Sequence, residues 1–212
     1  MLWRLHYGHT EGHPAMNYLA HALLAGQSPA LVVGGVIGDF IKGPLPGLLP
    51  PDLARGVALH RAIDTFAETN PAFCASRNRV SQERRRYAGV LVDIFYDHLL
   101  ARDWDQIHHL PLSDYSASVY TTIAGRMNDI STSAHFALQL MANEDWLSSY
   151  AGIDGISDVL ARMSRRARQP NPLAGGEQEF LTDPTGFAAD FDHWLVDARR
   201  FADQWMARET AV

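Results

Sequence analysis

Apolar residues recur along this chain at helical spacing and almost never in alternation, and that pattern lays out a series of helices. Tyr18, Leu19, Ala22 and Leu23 share one face of a first helix, with Gly26 where a C-terminal cap belongs. Ser28 and Pro29 supply an N-cap and a first-turn proline for a second helix running to about Ile41. Its Gly34, Gly35 and Gly38 are weak helix formers, and they let another backbone approach closely. Gly43 to Pro51 holds four prolines and reads as a loop. Beyond it, Asp52 to Glu68 is amphipathic, with Leu53, Val57, Leu59, Ile63 and Phe66 as core positions. Asn70-Pro71 breaks that helix and opens another through about Val80, followed by one from roughly Gln82 to Asp103. The second half predicts helices over Ser113 to about Asp129, Thr132 to Asn143 and Ile156 to Arg168, with a short turn at Trp146 and Tyr150. A turn-rich stretch from Gln169 to Gly176 precedes a terminal helix from about Thr185 to Ala207. No alternating β-branched run, glycine-rich phosphate loop or internal repeat is found. The expected fold class is all-α, a single-domain helical bundle over residues 16–212. Residues 1–15, rich in His, Gly and Thr without periodicity, are expected to be a disordered leader.

Within this series the stretch from Gly89 to Leu100 stands apart. As a helix it sets Asp93 and Asp97 one turn apart in one stripe, and Leu91, Ile94, Phe95 and His98 line the next. Val92, Tyr96, Leu99 and Leu100 cover much of the remainder, so the helix is apolar nearly all round and belongs in a core. Two carboxylates and an imidazole carried inward need partners, because isolated buried charge loses its hydration with nothing in return. Two kinds are available: a cation from outside, or arginines such as Arg61 and the run Arg84, Arg85 and Arg86.

Charge narrows the function classes. With 212 residues, a net charge of -6 and a pI near 5.9, the chain as a whole does not recommend nucleic acid or an anionic membrane as partner. Its longest apolar stretch, Ala30 to Ile37, is too short to span a bilayer, and the first fifteen residues do not form a secretory signal. Cys74 is the single cysteine, so no internal disulfide can form, and it reads as a small apolar filler. A reducing, cytoplasmic location is expected. Apart from Lys42 every basic residue is arginine, clustered from Arg77 to Arg86 and from Arg162 to Arg168. Such runs are either solvated helix faces or sites for phosphate and carboxylate, which the planar guanidinium suits.

The candidate chemistry lies in the first half. His60 and Asp64, one turn apart, can address one point in space or simply hydrogen-bond each other. Asp39 ends an apolar run and either faces a polar pocket or caps something. Together with Asp97 and His98, and with His21 and Asp93 nearby in the pattern, they make a mixed imidazole and carboxylate set without thiolate. That set favours Mn²⁺, Mg²⁺ or Fe²⁺ over structural zinc. Inward-pointing helix-borne ligands are how helical bundles build metal sites. A divalent ion flanked by arginines suits hydrolysis of a phosphate ester.

The ordered set Met16-Asn17-Tyr18-Leu19-Ala20-His21, Gly38-Asp39-Phe40, Lys42-Gly43, His60-Arg61-Ala62-Ile63-Asp64 and Asp93-Ile94-Phe95-Tyr96-Asp97-His98 resembles the acyl carrier protein phosphodiesterase family. Glu144 to Tyr150 and Gly155 to Arg166 add to the resemblance, which covers about Met16 to Ala207. It implies an enzyme that hydrolyses the phosphodiester between 4′-phosphopantetheine and a serine of holo-acyl carrier protein, with a divalent ion, usually Mn²⁺. It also implies a divergent relative of the all-helical His-Asp metal phosphohydrolases. Here Asp97 precedes His98, the reverse of the relatives' His-Asp dipeptide, so ligands do not transfer directly. By position the expected metal ligands are Asp39, His60, Asp64, Asp97 and His98. Asp64 acting only to orient His60, and His98 as a satisfied core histidine, stay open beside that. His21, Arg61 and Asp93 are expected at the substrate phosphate, in water activation or in support of the ligands. Arg84, Arg85 and Arg86 are expected to steer the acidic carrier protein. A non-catalytic helical module that binds the carrier, and hydrolysis of another small phosphodiester, are the competing readings.

Overall fold

The computed structural model describes residues 17–167 and 169–209; the expected leader and Arg168 lie outside them. Among the described residues there are twelve α-helices, three short 3₁₀ turns and no strand. The first half comprises α1 (Tyr18–Leu24), α2 (Pro29–Ile37), α3 (Pro51–Thr69), α4 (Pro71–Arg79) and α5 (Ala88–Arg102). The second comprises α6 (Trp104–Ile107), α7 (Leu112–Ala124), α8 (Thr132–Asn143), α9 (Trp146–Ser149), α10 (Ile153–Arg166), α11 (Glu177–Thr182) and α12 (Pro184–Glu209). No helix among these residues is long and apolar enough to cross a membrane.

α5 is the axis of the core. From Val90 to Ala101 all its side chains are buried except Asp93, which is half-buried. Phe95 packs against Phe180 of α11 and Phe187 of α12, and Tyr96 meets Phe73 of α4 and Phe191 and Trp194 of α12. The long terminal helix thereby closes over α4 and α5. A buried polar network fixes the seam: Ser76 Oγ bonds Tyr96 Oη and donates to Asp190, which also accepts from Arg79 Nε at 2.7 Å.

α2 and α3 form the closest helix pair, and glycine is the reason. A methyl group on Gly34 would overlap the backbone of Gly56 and Val57, so the two helices cross backbone to backbone. α2 stops at Ile37 rather than about Ile41, and a 3₁₀ turn, Gly38–Phe40, carries Asp39 beneath α3. Gly26 adopts φ +66° just past α1, the left-handed cap that its position predicted.

The segment expected to begin the α5 helix at Gln82 is instead turns as far as Tyr87, held by side chains. Arg84 donates to Pro172 O and to Glu179, and Ser81 donates to Glu179 through both its backbone N–H (2.8 Å) and its hydroxyl (2.6 Å). Burial pushes the Glu179 carboxyl up, but the bonds from Ser81 and Arg84 outweigh it and hold it below the ordinary carboxylate range. A depressed carboxylate stabilises the fold above its unfolded pKa, about 4.3, and loses that contribution as pH falls through the folded value. Glu179→Gln is therefore expected to lower Tm at pH 7, with the gap to wild type closing below roughly pH 4. Thermal melts of both proteins from pH 3 to 8 measure this.

Candidate functional site

α1, α2 with its 3₁₀ extension, and α3 meet where three polar side chains converge. His21 comes from the last turn of α1, and His60 and Asp64 from successive turns of α3. One ligand atom from each of these three lies within 4.8 Å of the others. His21 Nε2 is 3.1 Å from Asp64 Oδ1, and His60 Nε2 is 3.3 Å from Asp64 Oδ2 and 3.4 Å from Asp39 Oδ1. The imidazoles stack with centroids 3.9 Å apart. Both histidines and Asp39 are buried, while the Asp64 side chain is 23% exposed, so the cluster opens to solvent through Asp64.

Local structure holds each group in place. His60 Nδ1 lies 2.8 Å from Gly35 O, and a carbonyl only accepts, so Nδ1 carries the proton and Nε2 faces the carboxylates. The His60 ring sits where a Cβ on Gly38 would otherwise be. α1 has no cap from its own residue Asn17; the carboxylate of Asp97 accepts from Leu19 N at 2.9 Å and Ala20 N at 2.8 Å instead. This anion at the first turn of α1 satisfies N–H groups that have no intrahelical partner and sets the helix that presents His21.

The electrostatics follow from putting bases and acids together out of water. Burial pushes His60 down, but Asp64 and Asp39 outweigh it and raise its pKa to about 9. Burial and then the neighbouring His60 push His21 the other way. Asp93 is raised well above the carboxylate range by burial and then by Asp64, Asp39 and Asp97. Asp97 is raised by burial despite its two backbone donors.

Of the expected ligands, His60, Asp64 and Asp39 stand together, joined by His21. Asp97 and His98 are turned to other work. His98 Nδ1 donates to Tyr150 O at 2.7 Å and its ring meets Phe180 edge-on, far from the carboxylates in its bonding. Arg61 donates to Ile41 O at 3.0 Å. The Arg84–Arg86 run is split: Arg84 is tied to Glu179, Arg85 bonds Asn78, and Arg86 lines a cleft. That cleft runs beside the cluster and is lined by Asn17, Asp64, Glu68, Arg77, Arg86 and Asp93 over an apolar floor of Ile63, Ala67, Phe73 and Val90. Asn17 donates to Asp93 there at 3.3 Å. Asn17 enters the sequence reading only within the resembling motif and Arg77 only as the edge of the arginine cluster, and Glu68 carries no expected role there. Asn17 just before α1, Glu68 on α3 and Arg77 on α4 come to one cleft only once the helices are packed.

The donor set fits a divalent cation. Asp39 Oδ2 and His21 Nδ1 are buried without a hydrogen-bond partner among the described residues, and one ligand atom each from His21, His60 and Asp64 gathers beside Asp39. Imidazole with carboxylate and no thiolate suits a hard or borderline ion.

An all-helical domain with a buried imidazole–carboxylate centre opening into an arginine-bearing cleft is the class of protein defined here. The family model described as acyl carrier protein phosphodiesterase matches residues 16–198, and the chain belongs to that family of phosphoric diester hydrolases. It is similar to the acyl carrier protein phosphodiesterase of Yersinia pestis, 31% identical over 76% of this chain and 83% of the relative. That of Serratia proteamaculans is 32% identical over the same shares, 76% and 83%. That of Photorhabdus laumondii is 30% identical over 84% of this chain and 88% of the relative. No solved structure matches the chain.

Proposed function

We propose that the protein removes 4′-phosphopantetheine from holo-acyl carrier protein by hydrolysing the phosphodiester to the carrier's serine, using a divalent ion, Mn²⁺ foremost. The observation that carries this reading is the convergence of His21, His60 and Asp64 beside an open cleft, in a chain of this family. These three, with Asp39 adjoining, would hold the ion, which when bound supplies Lewis-acid activation of a phosphate ester. Gly35 O keeps His60 Nε2 aimed at the centre, and Asp97 keeps His21 there through α1. Asp93, lining the cleft and anchored by Asn17, is the group placed to handle a proton. Water adds to phosphorus, the bond from phosphorus to the serine oxygen breaks, Asp93 delivers the proton that the departing oxygen takes, and the proton shed by the attacking water passes to solvent, from which Asp93 is reprotonated. The products are the apo carrier and free 4′-phosphopantetheine. Residues 16–212 would act as one catalytic domain.

Mass spectrometry of a holo-carrier incubated with the protein tests the reading. The expected result is conversion to the apo mass, with a generic aryl phosphodiester turned over at least about a hundredfold more slowly. A carrier that keeps its arm under all metal conditions would overturn it. Asp93→Asn is expected to lower kcat by about 10²–10⁴, the usual worth of a positioned acid, while leaving Tm and metal content close to wild type. Steady-state kinetics alongside metal analysis check it.

A further inference from the structure

Five arginines fall between residues 77 and 86, and their environments divide them. Arg79 is clamped by Asp190 and Asp183, Arg84 by Glu179 and Pro172 O, and Arg85 by Asn78. Arg77 and Arg86 make no hydrogen bond or ion pair with any other described residue, and both line the cleft that contains Asp64 and Asp93. Arg77 is half-buried and Arg86 exposed at the cleft mouth, and a half-buried arginine with no protein acceptor is unusual, because its guanidinium carries five donors that lose water when covered.

We propose that Arg77 and Arg86 form the anion subsite of this cleft, gripping a phosphate ester whose flexible arm lies along Ile63, Phe73 and Val90. Arg86 lies in the turn just before α5, the helix that carries Asp93, and both side chains line the same cleft. The phosphoryl group thus has guanidinium forks on one side and the His21, His60 and Asp64 cluster on the other. Bidentate donors match phosphate oxygens and add geometric selection to charge. The apolar floor, Phe73 above all, gives the arm a surface to cover. The subsite rests on the hydrolytic reading for its substrate, but not for its ability to bind phosphate. It assigns selectivity for a phosphorylated arm over the same arm without phosphate to two residues.

The test compares wild type with the double variant Arg77→Ala/Arg86→Ala, using inorganic phosphate, phosphopantetheine and pantetheine as probes. Circular dichroism confirms that both proteins fold, as two side chains without protein partners imply. The expected result is that phosphate raises the Tm of wild type and not of the variant. Phosphopantetheine should compete with holo-carrier at least about tenfold better than pantetheine in wild type, with that ratio falling toward one in the variant. KM for the carrier should rise about 10- to 100-fold, the loss of one or two charge-assisted hydrogen bonds. An unchanged ratio and an unchanged phosphate response in the variant would overturn the subsite. Were wild type to leave holo-carrier intact while its phosphate response still vanished in the variant, the subsite would stand and the hydrolytic reading alone would fall.

Discussion

His60→Ala is expected to lose tight metal binding and to cut release of phosphopantetheine by more than about a hundredfold. Partners that merely orient a metal-binding histidine are commonly worth 10–100-fold, so removing the histidine itself costs more. The geometry makes His60 the centre of the site: its Nε2 faces both Asp39 and Asp64, its ring stacks on His21, and its Nδ1 is held by Gly35 O. The substitution also leaves Gly35 O without its donor, so a stability loss of about 1–3 kcal/mol accompanies it. Asp64→Asn separates the two effects. The amide keeps the shape and a hydrogen-bonding oxygen for the histidines but removes the charge, so metal affinity should fall steeply while the urea midpoint hardly moves. Calorimetric Mn²⁺ titration, urea melts and carrier turnover on both variants provide the comparison. Wild-type turnover in both would contradict the assigned cluster.

Gly34→Ala is expected to be among the most damaging small substitutions in the fold, at about 3 kcal/mol, the upper end for overpacking. Its Cβ would meet the backbone of Gly56 and Val57, which has no rotamer with which to yield. Separating α2 from α3 also draws the Gly35 carbonyl and Asp39 away from His60, so activity should fall with stability. Gly38→Ala moves the collision onto the His60 ring, and its effect should be larger on turnover than on the urea midpoint. Gly89→Ala is the control. Nothing lies within 4 Å of a Cβ at that helical position, so the change should be neutral or stabilise by up to about 1 kcal/mol. Urea unfolding at equal m-value ranks the three.

Periodicity revealed the long helices because each buries one face or, for α5, nearly all of its surface. It missed α6 and α11 and gave the single-turn α9 only as a turn at Trp146 and Tyr150, since a helix of six residues or fewer displays too little of a repeat. The inward acids of α5 announced that partners were required, but not which. Asp97 is satisfied by backbone N–H groups 77 and 78 positions away, and His98 by a carbonyl 52 positions away. Backbone groups carry no sequence signature, so these two side chains looked the same as ligands would. His60 and Asp64 were legible because the helix itself sets their spacing. That His21 joins them depends on how α1 docks, which the Asp97 cap decides. The arginine run read as one patch, whereas the turns before α5 send its members in three directions.

His21, His60 and Asp64, with Asp39 beside them, are expected to bind a divalent ion on which hydrolysis depends. Chelated protein reloaded with Mn²⁺ is expected to take up the ion, gain thermal stability and strip the arm from holo-carrier, while His21→Ala and His60→Ala do none of these. Full turnover in the presence of excess chelator, with a Tm that Mn²⁺ does not change, would contradict it.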